Sequence, residues 1–125
     1  MAYDERLAER VREALKWQLD VDEKRMFGGL CFMVNGHMTL GLVKNDLMVR
    51  VGGDAYDDAL AKKGTRPMDF TGRQLKGFVY VARAHLGRKR DLEAWVERAL
   101  AFNATQPVKK AVAERKRKPR LTLER

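Results

Sequence analysis

The sequence is poor in the residue types that most often perform chemistry. Its 125 residues include no serine, one cysteine and two histidines. Serine nucleophiles are therefore excluded. Little remains for acid–base catalysis or for a metal site, which usually takes several histidine or cysteine ligands. We predict a non-enzymatic protein without a cofactor or metal.

Long apolar segments are also lacking. No uninterrupted apolar run approaches the roughly 20 residues needed to cross a bilayer. Charges begin at Asp4, where a secretory leader would need its apolar core. Hydrophobic residues make up 45% of the chain and charged residues 34%, as in ordinary globular proteins. With the lone Cys31, these features predict a cytoplasmic protein that has one core and no membrane contact.

Positive charge is what the chain has in excess, and its C-terminal end carries most of it. The net charge is +9, and residues 107–125 hold eight basic residues against two glutamates, a net +6. This block follows a proline and contains almost no large apolar residues, which is typical of a solvated extension. We predict a folded domain over residues 1–106 and a basic, flexible tail over residues 107–125.

The tail is the candidate nucleic-acid-binding segment. Basic tails neutralise phosphates and release counterions, so this one could bind DNA or RNA without reading a base sequence. A second basic cluster, Arg83 and residues 88–90, precedes the last predicted helix and could extend the same patch. The alternative is a tail that only adds solubility. The candidate contacts are Lys109, Lys110, Arg115, Lys116, Arg117, Lys118 and Arg120.

Hydrophobic periodicity predicts an α+β domain. A helix capped by Asp4 is expected over residues 4–19, and Asp91 is expected to cap the last helix. The run 26–34 is apolar at both its odd and its even positions, as in a strand covered on both faces. Two turn signals follow it, at residues 35–36 and 44–46, and predict a three-stranded antiparallel meander.

The rest of the domain completes a two-layer architecture. Asp54 is expected to cap a short helix that Gly64 stops, and extended segments follow at residues 68–70 and 77–81. The predicted order is α-βββ-α-ββ-α, an antiparallel sheet with the helices on one face.

Several blocks of the chain resemble the TfoX (Sxy) N-terminal domain family. RMFGGLCFMVNGHM, DLMVRVG, RPMDFTGRQLKGFVYV and LEAWVERALAF occur in this order, and the resemblance covers about residues 1–106. It implies a fold similar to secretion-chaperone-like folds, in a bacterial protein linked to competence and transcription regulation. It further implies a stand-alone member without the family's second domain. The signature residues, expected to be structural, are Met26, Phe27, Gly28, Gly29, Pro67, Met68 and Phe70.

Several residues have both a functional and a structural interpretation. Arg50, Arg66 and Arg73 form a weak candidate anion or ligand site, against a solvated sheet face as the alternative. Cys31 is expected to be a buried hydrophobe, and Gly28-Gly29 to mark a bulge or a helix packed closely on the strand. The histidines, His37 and His85, lack the spacing of metal ligands. The methionines are expected to fill the core or to form a homodimer interface; in the meander they are Met26, Met33, Met38 and Met48.

Two hypotheses of function remain. The first is a non-enzymatic regulatory or adaptor protein, whose body binds a protein partner or a second copy while the tail holds nucleic acid. The second is a small-molecule or peptide-binding module, with a pocket between the sheet and the short helix after Gly53. Arg50 and Arg66 would then lie beside the ligand.

Overall fold

The computed structural model describes residues 3–26, 28–70 and 72–107, without the side chains of Phe70, Arg73 and Gln74. Phe27 of the family signature lies outside the described residues. So do the candidate nucleic-acid contacts of the tail, from Lys109 to Arg120.

The described residues form three α-helices and six strands. In chain order they are α1 (Glu5–Ala14), β1 (Val21–Met26), β2 (Gly29–Val34), β3 (His37–Val43), β4 (Asp46–Arg50), α2 (Tyr56–Leu60), β5 (Thr65–Phe70), β6 (Arg73–Ala82) and α3 (Lys89–Asn103). A short 3-10 helix, Arg83–His85, connects β6 to α3.

One antiparallel sheet contains all six strands of the described part of the chain. Their spatial order is β1-β2-β3-β4-β6-β5, so β5 and β6 form a hairpin whose second strand joins the meander. The two turns predicted inside the meander are confirmed: Asn35, Gly36 and Lys44 have φ angles of 54°, 84° and 56°. Such left-handed conformations are what tight hairpin turns require. The α+β class and the antiparallel sheet are confirmed.

The segment predicted as one strand over residues 26–34 is wrong in extent, because it belongs to two strands. β1 ends at Met26 and β2 begins at Gly29, opposite it in the register. The sequence pattern did not predict β1 because residues 22–25 are all charged and exposed. As the edge strand of the sheet, β1 needs no apolar alternation, and charges on an edge oppose aggregation. The observed order is therefore α-ββββ-α-ββ-α.

Helix α1 is shorter than the predicted segment 4–19. The Asp4 cap is confirmed, since its carboxylate accepts from the amides of Arg6 and Leu7 at 2.9 and 3.1 Å. The bond from Leu7 and a side-chain hydrogen bond from Arg83 lower the pKa of Asp4. The helix ends at Ala14, and Leu19, expected on its apolar face, is 91% exposed. The chain must turn there because β1 starts at residue 21.

Two other predicted caps are wrong. α2 begins at Tyr56 after Ala55, and its N-terminus has no side-chain cap from Asp54. α3 begins at Lys89, so Asp91 lies inside its first turn instead of before it. A carboxylate in the first turn still interacts favourably with the helix dipole, which explains why the pattern resembled a cap.

The main core lies between the helices and one face of the sheet. All three helices contribute to it, through side chains such as Val11, Ala59 and Val96, and each of these is at most 2% exposed. Phe32, at the centre of β2, is fully buried beneath them. At the edge, Arg12 of α1 donates to both carboxylate oxygens of Glu23 at 2.7 and 2.9 Å, which lowers the pKa of Glu23 and holds β1 beside α1.

Candidate functional site

The opposite side of the sheet, called the second face below, carries a separate buried cluster. Its members are Cys31, Met48, Met68 and Tyr80, which are 0 to 9% exposed. Partly buried apolar side chains surround them: Met33, Met38, Val43, Leu75 and Phe78. Within the described ranges, only strand residues build this cluster. The sheet is therefore apolar on both faces while its helices contribute to one.

Methionines fill the centre of the second face, and their side chains become more exposed toward its margin. Met48 and Met68 are fully buried, Met33 and Met38 are partly buried, and Met26 on β1 is 36% exposed. The side chain of Met48 lies over Gly41 of the neighbouring strand, where an added Cβ would be 2.8 Å from the Met48 methyl group. Core filling is thus confirmed for Met48 and Met68.

Arg66 is fixed over an aromatic ring on this face. Its guanidinium lies 4.7 Å from the centre of the Tyr80 ring and donates to Asp46 Oδ2 at 2.6 Å. The bond to Asp46 raises the pKa of Arg66, while burial raises the pKa of the Tyr80 phenol. The guanidinium keeps its charge at physiological pH, and about half of the side chain, 53%, is exposed. This geometry presents a positioned cation beside apolar surface.

Arg50 lies on the same face but has different partners. It is opposite Phe78 in the register, and its guanidinium lies 5.3 Å from the Phe78 ring and 5.1 Å from that of Phe102 on α3. Its polar contact is weak, a 3.4 Å hydrogen bond to the Met38 carbonyl. Cation–π contacts of this kind hold a charge over hydrophobic surface without a carboxylate.

The three arginines of the candidate anion site are not brought together. The guanidinium of Arg66 is held at Asp46, four residues along β4 from Arg50. At about 3.3 Å per strand residue, the two positions are roughly 13 Å apart, too far to share one small anion. The side chain of Arg73 is outside the described residues.

The region proposed for a ligand pocket is filled by side chains. Helix α2 packs directly on the sheet through Tyr56 and Ala59, which are 8% and 0% exposed. An open groove of about 460 Å³ lies nearby, between the loop at residues 51–55 and α3, and neither Arg50 nor Arg66 lines it. Within the described residues, α2 and the sheet are thus in direct contact where the second hypothesis requires a pocket.

Histidine and carboxylate groups do not assemble a metal site in the part of the chain that the structure describes. His37 lies 2.6 Å from the carbonyl oxygen of Pro107, and the His85 ring packs on Gly64. Each histidine thus has a structural neighbour. None of the helices in the described ranges has the length and apolar composition needed to span a bilayer.

Cys31 has the environment of an inert thiol. It is 2% exposed, and burial raises its pKa, so the thiol stays protonated at neutral pH. Reactive cysteines instead have lowered pKa values and solvent access. Cys31 therefore acts as part of the apolar cluster.

This environment predicts slow modification of Cys31 by a thiol-specific reagent. In the native protein at neutral pH, we expect the reaction to be at least about a hundredfold slower than in urea, because the thiolate forms only after opening of the fold. Since the folded state retains the proton, the free energy of unfolding should also fall as pH rises above the ordinary thiol pKa. Rapid, stoichiometric labelling of the native protein would contradict the assignment.

The residues of the second basic cluster, which are close in the sequence, have different surroundings in the structure. Arg83 pairs with Asp4 at 2.7 Å, and Lys89 lies 3.9 Å from Glu93. Arg88 instead lines a groove with basic residues that no run in the sequence connects: Lys62, Lys63 and Arg98. The sequence could not predict this group, because its residues come from two distant segments, the loop after α2 and one side of α3.

Comparison with protein families decides what the α+β domain is. The model of the TfoX N-terminal domain matches residues 6–103 of the 125-residue chain. The chain belongs to the TfoX N-terminal domain family. No curated protein and no solved structure matches significantly. The TfoX N-terminal domain family is not known as a family of enzymes.

The TfoX signature positions that the structure describes have structural surroundings. Gly28 forms the β1–β2 turn with a φ of 75°, and Gly29 lies against the carbonyl of Leu42 on β3. The close neighbour of Gly29 is thus a strand, whereas the sequence favoured either a bulge or a closely packed helix. Pro67 occupies the edge strand β5, where a missing N–H is tolerated, and Met68 is fully buried in the second cluster.

Proposed function

We propose that this TfoX N-terminal domain protein is a non-enzymatic regulatory or adaptor protein that associates through its second face and contacts nucleic acid through its basic tail. The observation that carries the proposal is the second cluster, a buried apolar layer with partly exposed methionines and Phe78 at its margin. A sheet that is apolar on both faces usually has both faces covered. The family resemblance supplies the link to competence and transcription regulation.

A second copy of the chain is the proposed occupant of this face. Acidic and basic side chains are interspersed on it: Asp46 pairs with Arg66, and the register places Asp22 and Lys24 opposite Met33 and Cys31. A twofold interface brings the same patch of two copies together, so a patch of one sign would repel itself. The mixed charges of the second face avoid this repulsion. Exposed methionines also adapt readily to a partner surface.

The tail is proposed to supply sequence-independent affinity for DNA or RNA in the same protein. Its net charge of +6 would hold the phosphate backbone electrostatically. Its sequence has no aromatic residues for base stacking, so specific readout is not part of the proposal. In a dimer, two tails would act on one nucleic acid and increase its affinity through effective concentration.

Self-association through the second face is tested by Met33→Lys. We expect the wild-type protein to sediment as a dimer and the variant as a monomer, because an ammonium group would have to be buried in an apolar contact. The matched control is Trp17→Lys, which adds the same charge at a site that is 83% exposed and outside the sheet. It should remain dimeric. Analytical ultracentrifugation over a concentration series measures both, with urea unfolding to check the fold.

Two results would refute the dimer. One is a wild-type protein that stays monomeric at every concentration. The other is a Met33→Lys variant that dimerises like the Trp17→Lys control, since the association would then use another surface.

A further inference from the structure

Several positively charged side chains of the described domain lie in one groove, called the basic groove below. Its volume is about 720 Å³. Three segments contribute cations to its walls: Lys62 and Lys63 after α2, Arg88 before α3, and Arg98 on α3. In the described ranges, Lys62, Lys63 and Arg88 form no ion pair with a carboxylate.

The carboxylates at the groove do not cancel this charge. Asp91 lies in its wall, and Asp58 accepts from Arg98 at 2.9 Å at its rim. Four cations therefore face two carboxylates. Since the tail also carries net positive charge, charge repulsion excludes it as the occupant of the groove. The complementary ligand is an anion outside this chain.

The two basic loops are held in place by the fold. The hydroxyl of Thr65 donates to the Lys62 carbonyl at 2.7 Å, and the His85 ring packs directly on Gly64. On the other side, Arg10 of α1 donates to the carbonyl of Leu86 at 2.6 Å. Side chains on positioned loops lose less conformational entropy on binding than side chains on free segments.

The spacing of the cations favours a polymer over a single phosphate group. Arg88 and Arg98 are ten residues apart along α3, which corresponds to about 15 Å at 1.5 Å per residue. That length matches the rise of about four nucleotides of one strand. A phosphopeptide or free phosphate would need the same cations to converge on one point. The lining residues of α3 are Asp91, Ala94, Trp95 and Arg98, which lie along one side of the helix, with Arg88 just before its first residue.

Base recognition has no support in the groove. Trp95 is 7% exposed, and the guanidinium of Arg98 lies 5.4 Å from its ring. Trp95 therefore has no free ring face there for stacking a base. Contacts would be limited to phosphates, which position a protein without reading sequence.

We infer that the basic groove binds the phosphate backbone of a nucleic acid, as a second contact beside the one proposed for the tail. The inference rests on the nucleic-acid part of the proposed function. It adds that the folded domain itself takes part in binding. The dimer proposed for the second face is independent of it, because the groove lies among α2, α3 and their loops.

The test uses the full chain and a labelled DNA duplex, titrated at several salt concentrations. The groove variant combines Lys62→Gln, Lys63→Gln and Arg88→Gln. Each phosphate contact contributes a slope of about −0.9 to log affinity against log salt, so losing three should make the slope shallower by about 2 to 3. At about 0.1 M salt, we expect affinity to fall at least about tenfold. Thermal melting checks that each variant is folded.

The matched control removes the same charge elsewhere on the domain. Arg25→Gln, Lys44→Gln and Lys76→Gln change two lysines and one arginine that are exposed and do not line the groove. A substantially smaller loss of affinity in this control than in the groove variant supports the inference. Equal losses in the two variants, or no loss in the groove variant, would overturn it, because net charge alone would then account for binding.

Two further arms separate the groove from its alternatives. In a full-length variant whose seven tail candidates are replaced by glutamine, the groove substitutions should still weaken binding. If only the tail replacements matter, the proposed tail contact stands and the groove inference fails. Polyglutamate provides the second arm. Binding as tight as to DNA, with the same loss in the groove variant, would show a general acidic-polymer site and refute the nucleic-acid assignment.

Discussion

Replacing Gly29 by alanine should destabilise the domain by about 3 kcal/mol or more, a large part of the 5 to 15 kcal/mol that holds a typical domain folded. A Cβ at this position would lie 1.9 Å from the carbonyl oxygen of Leu42 and 3.2 Å from the Cα of Val43. Both are backbone atoms of the neighbouring strand, so no side-chain rotation can relieve the clash. The urea midpoint of unfolding measures the loss.

Two other glycines serve as controls that distinguish a steric clash of the added Cβ from the cost of an unfavourable backbone conformation. Gly53 has no positive φ and no atom within 4 Å of an added Cβ, so Gly53→Ala should change stability by less than about 1 kcal/mol. Gly28 also has free space, but its φ is 75°, which costs an alanine about 1 to 2 kcal/mol. The expected order of destabilisation is Gly29, Gly28, Gly53. A Gly29→Ala variant as stable as Gly53→Ala would contradict the observed approach of β3.

The meander was predictable because its turn residues and the spacing of its apolar residues indicate the same strands. Asn35-Gly36 favours the left-handed conformations that the hairpin adopts, and the apolar residues Leu40, Leu42 and Val49 of β3 and β4 are buried. β1 was not predictable in this way. Its charged residues suit the edge of a sheet. Whether a segment lies at the edge depends on its pairing with another strand, and no local sequence pattern specifies that pairing.

The sequence predicted that the second face is apolar, but it did not predict which side chains are in contact there. An apolar run at both parities indicates that both sheet faces are covered, and the buried side chains Phe32 and Cys31 lie on opposite faces as that pattern requires. The contact of Arg66 with Tyr80 and Asp46 depends on β5 pairing with β6 and β6 with β4. The pairing of β4 with β6 joins residues far apart in sequence, so periodicity carries no information about it.

The two proposed surfaces differ in the physical basis of binding. The second face offers apolar area with mixed charges, which suits a protein surface and should depend weakly on salt. The basic groove offers separated cations with little free apolar area, which suits a polyanion and should depend strongly on salt. Salt dependence therefore distinguishes self-association from nucleic-acid binding in the same preparation.

A buried amide connects the last helix to the β2–β3 hairpin, and its importance was not visible in the sequence. Asn103 is 6% exposed at the end of α3. Its amide nitrogen donates to the Val34 carbonyl at 2.9 Å and to Thr39 Oγ1 at 3.2 Å, and its oxygen accepts from Asn35 at 3.3 Å. In the sequence, Asn103 is a polar residue near a helix end, which usually indicates exposure.

Asn103→Leu should therefore lower the free energy of unfolding by about 3 kcal/mol, because it leaves the Val34 carbonyl and the Thr39 hydroxyl without their donor in a buried site. Urea unfolding measures the change. Thr105→Ala, at an exposed position two residues further on, is the control and should cost at most about 1 kcal/mol. Combining Asn103→Leu with Thr39→Val should cost less than the sum of the single changes, by about 0.5 kcal/mol or more, since the two side chains share a hydrogen bond. Strict additivity would contradict the Asn103–Thr39 bond, and an Asn103→Leu variant as stable as the wild type would show that the amide has no role in joining α3 to the hairpin.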